Sequence, residues 1–176
     1  DRQFRKGIVF IGGFRHKPNL DAVRYFLKDI WPKVVELQPD MEFLIVGSEP
    51  PDEIISLKVK GVKVLGFVED LSTVLDQVVL SVVPLTYGAG IKGKIATSIA
   101  AGVPVVSTGI GVEGMGLEDG RNVLVARSES EFAQKIFDLY NNNGLWNSLS
   151  GEGLHFVEEN FTQAQIKVMT EKLIGH

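Results

Sequence analysis

Gly88, Gly90, Lys92 and Lys94 lie close together in the stretch PLTYGAGIKGKIATSIAAGVPVV, which joins an apolar run to a short helical pattern and then to a second apolar run. A strand end followed by glycines and the start of a helix leaves backbone N–H groups unpaired and directed outward. Two lysines beside such a turn add mobile positive charge, and the combination describes a phosphate cradle. Glycines that only turn the chain, with solvated lysines beside them, fit the same residues.

Two motif matches bear on what the cradle would hold. Gly88 through Lys94 has the spacing G-x-x-x-x-G-K of a P-loop, but Ile95 stands where a magnesium-coordinating Ser or Thr is required, so an NTPase site is set aside. Gly109, Gly111 and Gly114 form G-x-G-x-x-G after an apolar run. The sequel MGLEDG lacks the periodicity of the helix that a dinucleotide fingerprint must open. A glycine-rich loop over a ligand and a purely structural connection both remain open there. In the helix expected near Ile91, residues Ile91, Ile95 and Ile99 form a core stripe, whereas Gly90, Lys94, Thr97 and Ala101 share another face. That face is expected to be free for a ligand, with Lys94 and Thr97 meeting a phosphate oxygen and a sugar hydroxyl.

The whole chain limits the ligand. With 176 residues, 44% of them hydrophobic, it can bury one core, and a single domain spanning 1–176 is expected. A formal net charge of −4 argues against a broad nucleic-acid surface, so a phosphate site must be local. The absence of cysteine excludes disulfides, cysteine-based zinc sites and a thiol nucleophile, and suits a cytoplasmic location. His16, His155 and His176 are too scattered for a metal cluster. No apolar run approaches a membrane span, which leaves open a peripheral membrane contact of a longer protein. The opening DRQFRKG lacks a start methionine, and the chain is expected to be excised from such a longer protein.

The elements that must position the cradle alternate. Short β-branched runs at 8–11, 42–46, 62–65, 79–83, 103–107 and 123–125 predict six strands, several apolar on consecutive residues as in strands covered on both faces. Asn19 is expected to cap a helix carrying Ala22, Val23, Phe26, Leu27, Ile30 and Trp31, which Pro32 ends or kinks. Asp70 and Thr162 are further expected caps, and the tail from Glu129 onward is helical. Strand and helix in this order predict an α/β fold: a doubly wound, mainly parallel six-stranded sheet with helices on both faces, binding ligands beyond the carboxyl ends of its strands.

FIGGFRHKPNLDAVRYF, LIVGSEPP, VKVLGFVEDL, PLTYGAGIKGKIATSIAAGVPVVSTGIGVEGM and the closing helices together resemble the carboxy-terminal half of a retaining GT-B fold glycosyltransferase of the group 1 family. The resemblance covers nearly the whole chain in order. It implies the nucleotide-sugar donor-binding, Rossmann-like half of a two-domain, metal-independent, hexosyltransferase-like enzyme. The acceptor site would lie in an amino-terminal domain of the same protein, and this part alone would be inactive. By the same resemblance Gly12, Gly13 and Phe14 approach the donor diphosphate, together with Gly88, Gly90, Ile91, Lys92 and Lys94, while Phe67 and Val68 hold the base through backbone groups. Members often carry two glutamates in the 84–106 stretch; here Ala89 and Thr97 occupy those positions, which leaves Thr97 to meet the ribose. No catalytic residue is assigned, and no cofactor beyond the donor substrate. A degenerate docking or regulatory module of the same fold is the alternative, and a sugar-nucleotide epimerase a third reading.

Overall fold

The computed structural model describes residues 2–89 and 92–174. The first strand, β1 (Ile8–Ile11), is buried at every residue, as its unbroken apolar run requires of a strand covered on both faces. Helix α1 (Lys17–Tyr25) starts two residues before the expected cap Asn19. Pro18 explains the shift, because its fixed φ and missing N–H suit a first helical turn. Pro32, expected to end or kink the helix, does not end it. It lacks the N–H that an unbroken helix would use, and a π-helical turn at Phe26–Ile30 leads into α2 (Trp31–Leu37) without ending the helical path.

The remaining elements alternate as far as β6 and close on three helices: β2 (Phe43–Val46), α3 (Asp52–Ile55), β3 (Val62–Gly66), α4 (Ser72–Leu75), β4 (Leu80–Val83), α5 (Gly93–Ala100), β5 (Val105–Thr108), α6 (Gly109–Val112), β6 (Leu124–Ala126), α7 (Glu129–Asn141), α8 (Asn143–Asn160) and α9 (Gln163–Ile174). Strand β5 begins after Pro104, whose carbonyl accepts from Ser81 N–H at 2.9 Å but which has no N–H to donate to the ladder. Asp70 accepts from Ser72 N–H at 2.9 Å at the head of α4. Thr162 opens α9 with a reciprocal capping box, accepting from Gln165 N–H at 3.2 Å while its own N–H donates to Gln165 Oε1 at 2.8 Å.

The six strands form one all-parallel sheet in the order β3-β2-β1-β4-β5-β6. Successive β1 side chains point to opposite faces. Ile8 and Phe10 join a core with Val23, Phe26, Trp31, Phe43 and Phe132, while Val9 and Ile11 meet Leu71, Val74 and Leu75. On the first face Phe26 stacks at 4.7 Å from Phe43 and 5.9 Å from Phe132, tying α1, α2 and α7 to the sheet. Each such ring contributes roughly 1.5–3 kcal/mol by burial. The strand order reverses between β1 and β4, so the loops leaving their carboxyl ends diverge and open a crevice there.

Gly47, just beyond β2, keeps the rim of that crevice tight: a Cβ on it would lie 2.1 Å from the Gly12 carbonyl oxygen. Gly151, inside α8, has open space where its side chain would be. We therefore expect Gly47→Ala to lower unfolding free energy by about 2 kcal/mol or more, and Gly151→Ala to raise it by roughly 0.5–1 kcal/mol. Urea unfolding of the two variants checks both signs.

Candidate functional site

A cavity of about 530 Å³ fills the crevice, lined by Gly13, Ser48, Tyr87, Gly88, Lys92 and Lys94 among others. Gly13 arrives on the loop after β1 and Ser48 on the loop after β2, while Tyr87 and Gly88 follow β4. The Tyr87 hydroxyl donates to the Asp21 carboxylate of α1, which pins the 84–89 loop across the cavity mouth and holds that carboxyl below its usual range. Gly88 has φ +122°, a conformation that favours glycine.

Lys94 lies in the first turn of α5, 5% exposed. Its Nζ donates to Asn19 Oδ1 and stands 4.7 Å from the centroid of the Phe10 ring. Asn19 Nδ2 in turn donates to the Gly13 carbonyl at 2.8 Å. These partners orient the ammonium without neutralising it, since an amide oxygen and a ring face carry no net charge. Burial pushes Lys94 down to about 7, and the charge of Lys92 acts in the same direction. Gly12 supplies the remaining wall, for a Cβ there would stand 2.8 Å from Lys94 Nζ and 2.7 Å from Asn19 Nδ2. Lys92, immediately before α5, donates to the Gly88 carbonyl at 3.2 Å and is 8% exposed. A cavity floored by one ammonium that no carboxylate among the described residues compensates, with a second ammonium beside it and the first turn of α5 opening on it, can receive an anion with more than one charged oxygen.

The cavity brings Gly13, Gly88, Lys92 and Lys94 together, with Gly12 directly behind. Phe14 is a core residue whose N–H donates to the Ser48 carbonyl at 3.0 Å. Gly90 and Ile91 lie outside the described residues. The expectation that Lys94 and Thr97 share one free face of α5 requires correction at Thr97, which α9 covers. Thr97 is 5% exposed and its hydroxyl lies 3.0 Å from that of Thr170. Thr97 lines a separate hollow of about 340 Å³ with Asp70, Ser72, Ile166 and Thr170. Phe67 is 55% exposed on the loop after β3, and neither it nor Val68 is among the residues lining these two hollows.

The most informative residue that sequence reasoning misplaced is Asn19. It reads as a helix cap, but with Pro18 in the first turn it falls inside α1, where its amide couples Gly13 to Lys94. The H-K-P-N order held that signal, since proline favours the first helical position and shifts the cap ahead of it. Arg15, which also lines the cavity, spends its guanidinium on Glu49, at 2.6 Å from both carboxylate oxygens. The G-x-G-x-x-G stretch opens only the single turn α6, capped by the Thr108 hydroxyl. Gly111 is packed so closely that a Cβ would lie 2.0 Å from Ser107 Oγ. Among the described residues no metal-binding cluster of His, Asp or Glu forms, and no helix is long and apolar enough to cross a membrane.

Comparison with known proteins identifies the family and the fold. The family model described as glycosyl transferases group 1 matches residues 5–142. A 44.6 kDa protein of the cps region of Klebsiella pneumoniae is 25% identical over 169 residues, covering 90% of this chain and 43% of that protein. The chain thus spans less than half the length of this curated relative. The crystal structure of the C-terminal domain of a group 1 family glycosyl transferase from Francisella tularensis, LpcC, superposes with a TM-score of 0.70 at 16% identity, covering 91% of this chain and 89% of that one. The Anabaena protein HepE, crystallised with UDP-glucose, gives a TM-score of 0.74 at 16% identity, covering 98% of this chain and 49% of that one. These likenesses establish the fold as that of the carboxy-terminal, Rossmann-like half of GT-B glycosyltransferases.

The buried ammonium makes native stability depend on pH with a definite sign. Lys94 releases its proton near pH 7 in the native chain, whereas an unfolded lysine holds it to about pH 10. Between these values the unfolded chain binds more protons, so this group makes stability rise with pH. Lys94→Met is expected to be the more stable chain at about pH 6.5, by at least about 1 kcal/mol, with the gap closing toward about pH 9.5. Urea titrations of both chains across that range would refute this if the gap stayed constant.

Proposed function

Since the chain belongs to the group 1 glycosyl transferases, we propose that it is the donor-binding half of a retaining enzyme that moves a hexose from a nucleotide-diphosphate sugar to an acceptor hydroxyl. The observation that carries this reading is Lys94, an ammonium buried at the floor of the crevice without a carboxylate partner among the described residues. A polar network of this kind is completed by an anionic ligand, and a diphosphate matches the paired charges of Lys92 and Lys94. The donor complex of HepE is consistent with that choice of ligand.

In this reading the diphosphate rests on Gly12, Gly13, Phe14 and the 88–94 loop, including Gly90 and Ile91, with the ribose toward Thr97 and the base toward Phe67 and Val68. When the sugar–oxygen bond breaks, negative charge grows on the departing diphosphate. Lys92, Lys94 and the first turn of α5 stabilise that charge without a metal ion, and no residue of this chain is assigned as a general base. The acceptor is held by an amino-terminal domain of a longer cytoplasmic or membrane-peripheral protein, and residues 1–176, a single domain, do not turn over alone. The hydrogen bond between Thr97 and Thr170 favours one second reading, a docking or regulatory module that has given up ribose binding.

Calorimetric titration with inorganic pyrophosphate tests the proposal. Binding at about pH 8 is expected to take up close to one proton, visible as a dependence of the heat on buffer ionisation enthalpy, because the anion restores the charge of Lys94. Affinity should fall as pH rises from about 7 to 9, and Lys94→Met should weaken binding by about 10–100-fold, as loss of a charge-assisted bond implies. Binding without proton uptake, or binding that ignores the loss of Lys94, would refute the diphosphate assignment. Nucleoside diphosphate release by the full-length protein, given donor and acceptor, separates transferase from docking module.

A further inference from the structure

Lys94 meets the conditions for covalent chemistry as well as those for holding an anion. It lines the cavity of about 530 Å³. Asn19 Oδ1, which can only accept, takes one of the Nζ hydrogens, and Asn19 Nδ2 is engaged by the Gly13 carbonyl at 2.8 Å. The amide therefore orients the nitrogen without capping its lone pair. The Phe10 ring covers a second side, with its centroid 4.7 Å from Nζ. No carboxylate among the described residues pairs with Lys94, whereas Lys63, Lys135 and Lys167 lie against Glu42, Asp119 and Glu171. Desolvation beside a second cation is the setting that turns a lysine from an ammonium into a nucleophilic amine. Burial, aided by the charge of Lys92, brings Lys94 down to about 7, while an exposed lysine keeps its proton to about pH 10.

The reagent that reaches this amine has to be small, because Lys94 is 5% exposed. Its product has to suit a cavity walled by Lys92 and the first turn of α5. Carbon dioxide satisfies both, being small and uncharged on entry and anionic once joined to nitrogen. We propose that Lys94 is a reversible carbamate-forming site, whose amine takes up carbon dioxide and so puts a negative charge where a bound diphosphate needs a positive one. The Nζ lone pair forms a bond to the carbon, one carbon–oxygen π bond opens onto oxygen, and one Nζ proton leaves to water. Nothing is oxidised or reduced, and no further reactant is consumed. The N–H that remains keeps Asn19 Oδ1 as its acceptor, and the Lys92 ammonium stands beside the new anion. The modification follows from the setting of Lys94 alone; its effect on ligand binding rests on the donor-site reading above. Only the unmodified fraction binds a diphosphate, so a chain nine-tenths modified shows about tenfold weaker apparent affinity.

The chain is equilibrated with carbon-13 bicarbonate in a closed vessel at fixed dissolved carbon dioxide, and the carbamate is read by carbon-13 NMR. Trapping with triethyloxonium and peptide mass spectrometry then locate it. At about pH 8 a single carbamate is expected on Lys94, because exposed lysines there remain protonated. It should be absent from Lys94→Met, which is expected above to fold at least as stably as the native chain. Titration with inorganic pyrophosphate at constant pH and ionic strength should show affinity falling as carbon dioxide is raised, and pyrophosphate should suppress the trapped carbamate. No carbamate on Lys94, or equal trapping on exposed lysines, overturns the site. A carbamate on Lys94 with pyrophosphate affinity indifferent to carbon dioxide overturns the closing of the cavity. A carbamate on Lys94 in a chain that never binds pyrophosphate sustains the modification and overturns the donor-site reading instead.

Discussion

The Lys94 ammonium sits where β1, α1 and α5 converge, held by the Asn19 amide oxygen and the Phe10 ring. Taking an ammonium out of water without a carboxylate opposes folding, and the depressed proton affinity of Lys94 records that opposition. The surroundings tolerate it because they are otherwise rigid and satisfied. Asn19 is fixed by the Gly13 carbonyl, Phe10 is a fully buried core ring, and Ser98 one turn along α5 returns its hydroxyl to the Lys94 carbonyl at 2.8 Å. A buried charge that weakens the fold is an exchange of stability for function in the anion-binding role proposed for Lys94.

Close backbone approach is the condition for this arrangement. Gly12 leaves room for both the ammonium and the Asn19 amide, and Gly47 lets the loop after β2 press on the Gly12 carbonyl. With these two positions filled by side chains, β1 and β2 would splay at the end where the cavity opens. The parallel sheet contributes the rest by reversing its strand order between β1 and β4, so that the 84–89 loop and the Gly12–Phe14 turn face each other across a gap. Tyr87, bonded to Asp21, closes that gap from the side of α1.

The outer face of α5 follows a different logic. Its core stripe, Ile95 and Ile99, is buried by the chain's own strands and helices, as its spacing predicts. The opposite face, small and weakly polar, is capable of receiving either a ligand or another helix, and α9 occupies it. The large side chains that α9 leaves partly exposed, and the threonine pair at its centre, distinguish this contact from the aromatic packing of α1, α2 and α7 around Phe26.

Much of this was legible in the residues alone. Runs rich in β-branched residues placed all six strands to within two residues at each end, the edge strand β3 with its alternate exposed residues included. The alternation of strand and helix fixed the architecture, and the glycine-lysine loop located the cavity, because glycines and charges beside a strand end are local signals. The identity of the partners was not local. Asn19 reaches Lys94 across 75 positions of sequence, and Thr97 meets Thr170 across 73. Short-range periodicity can say that an α5 residue faces outward, but whether solvent, ligand or a later helix lies there depends on how the chain's end packs back, and only the tertiary structure decides that.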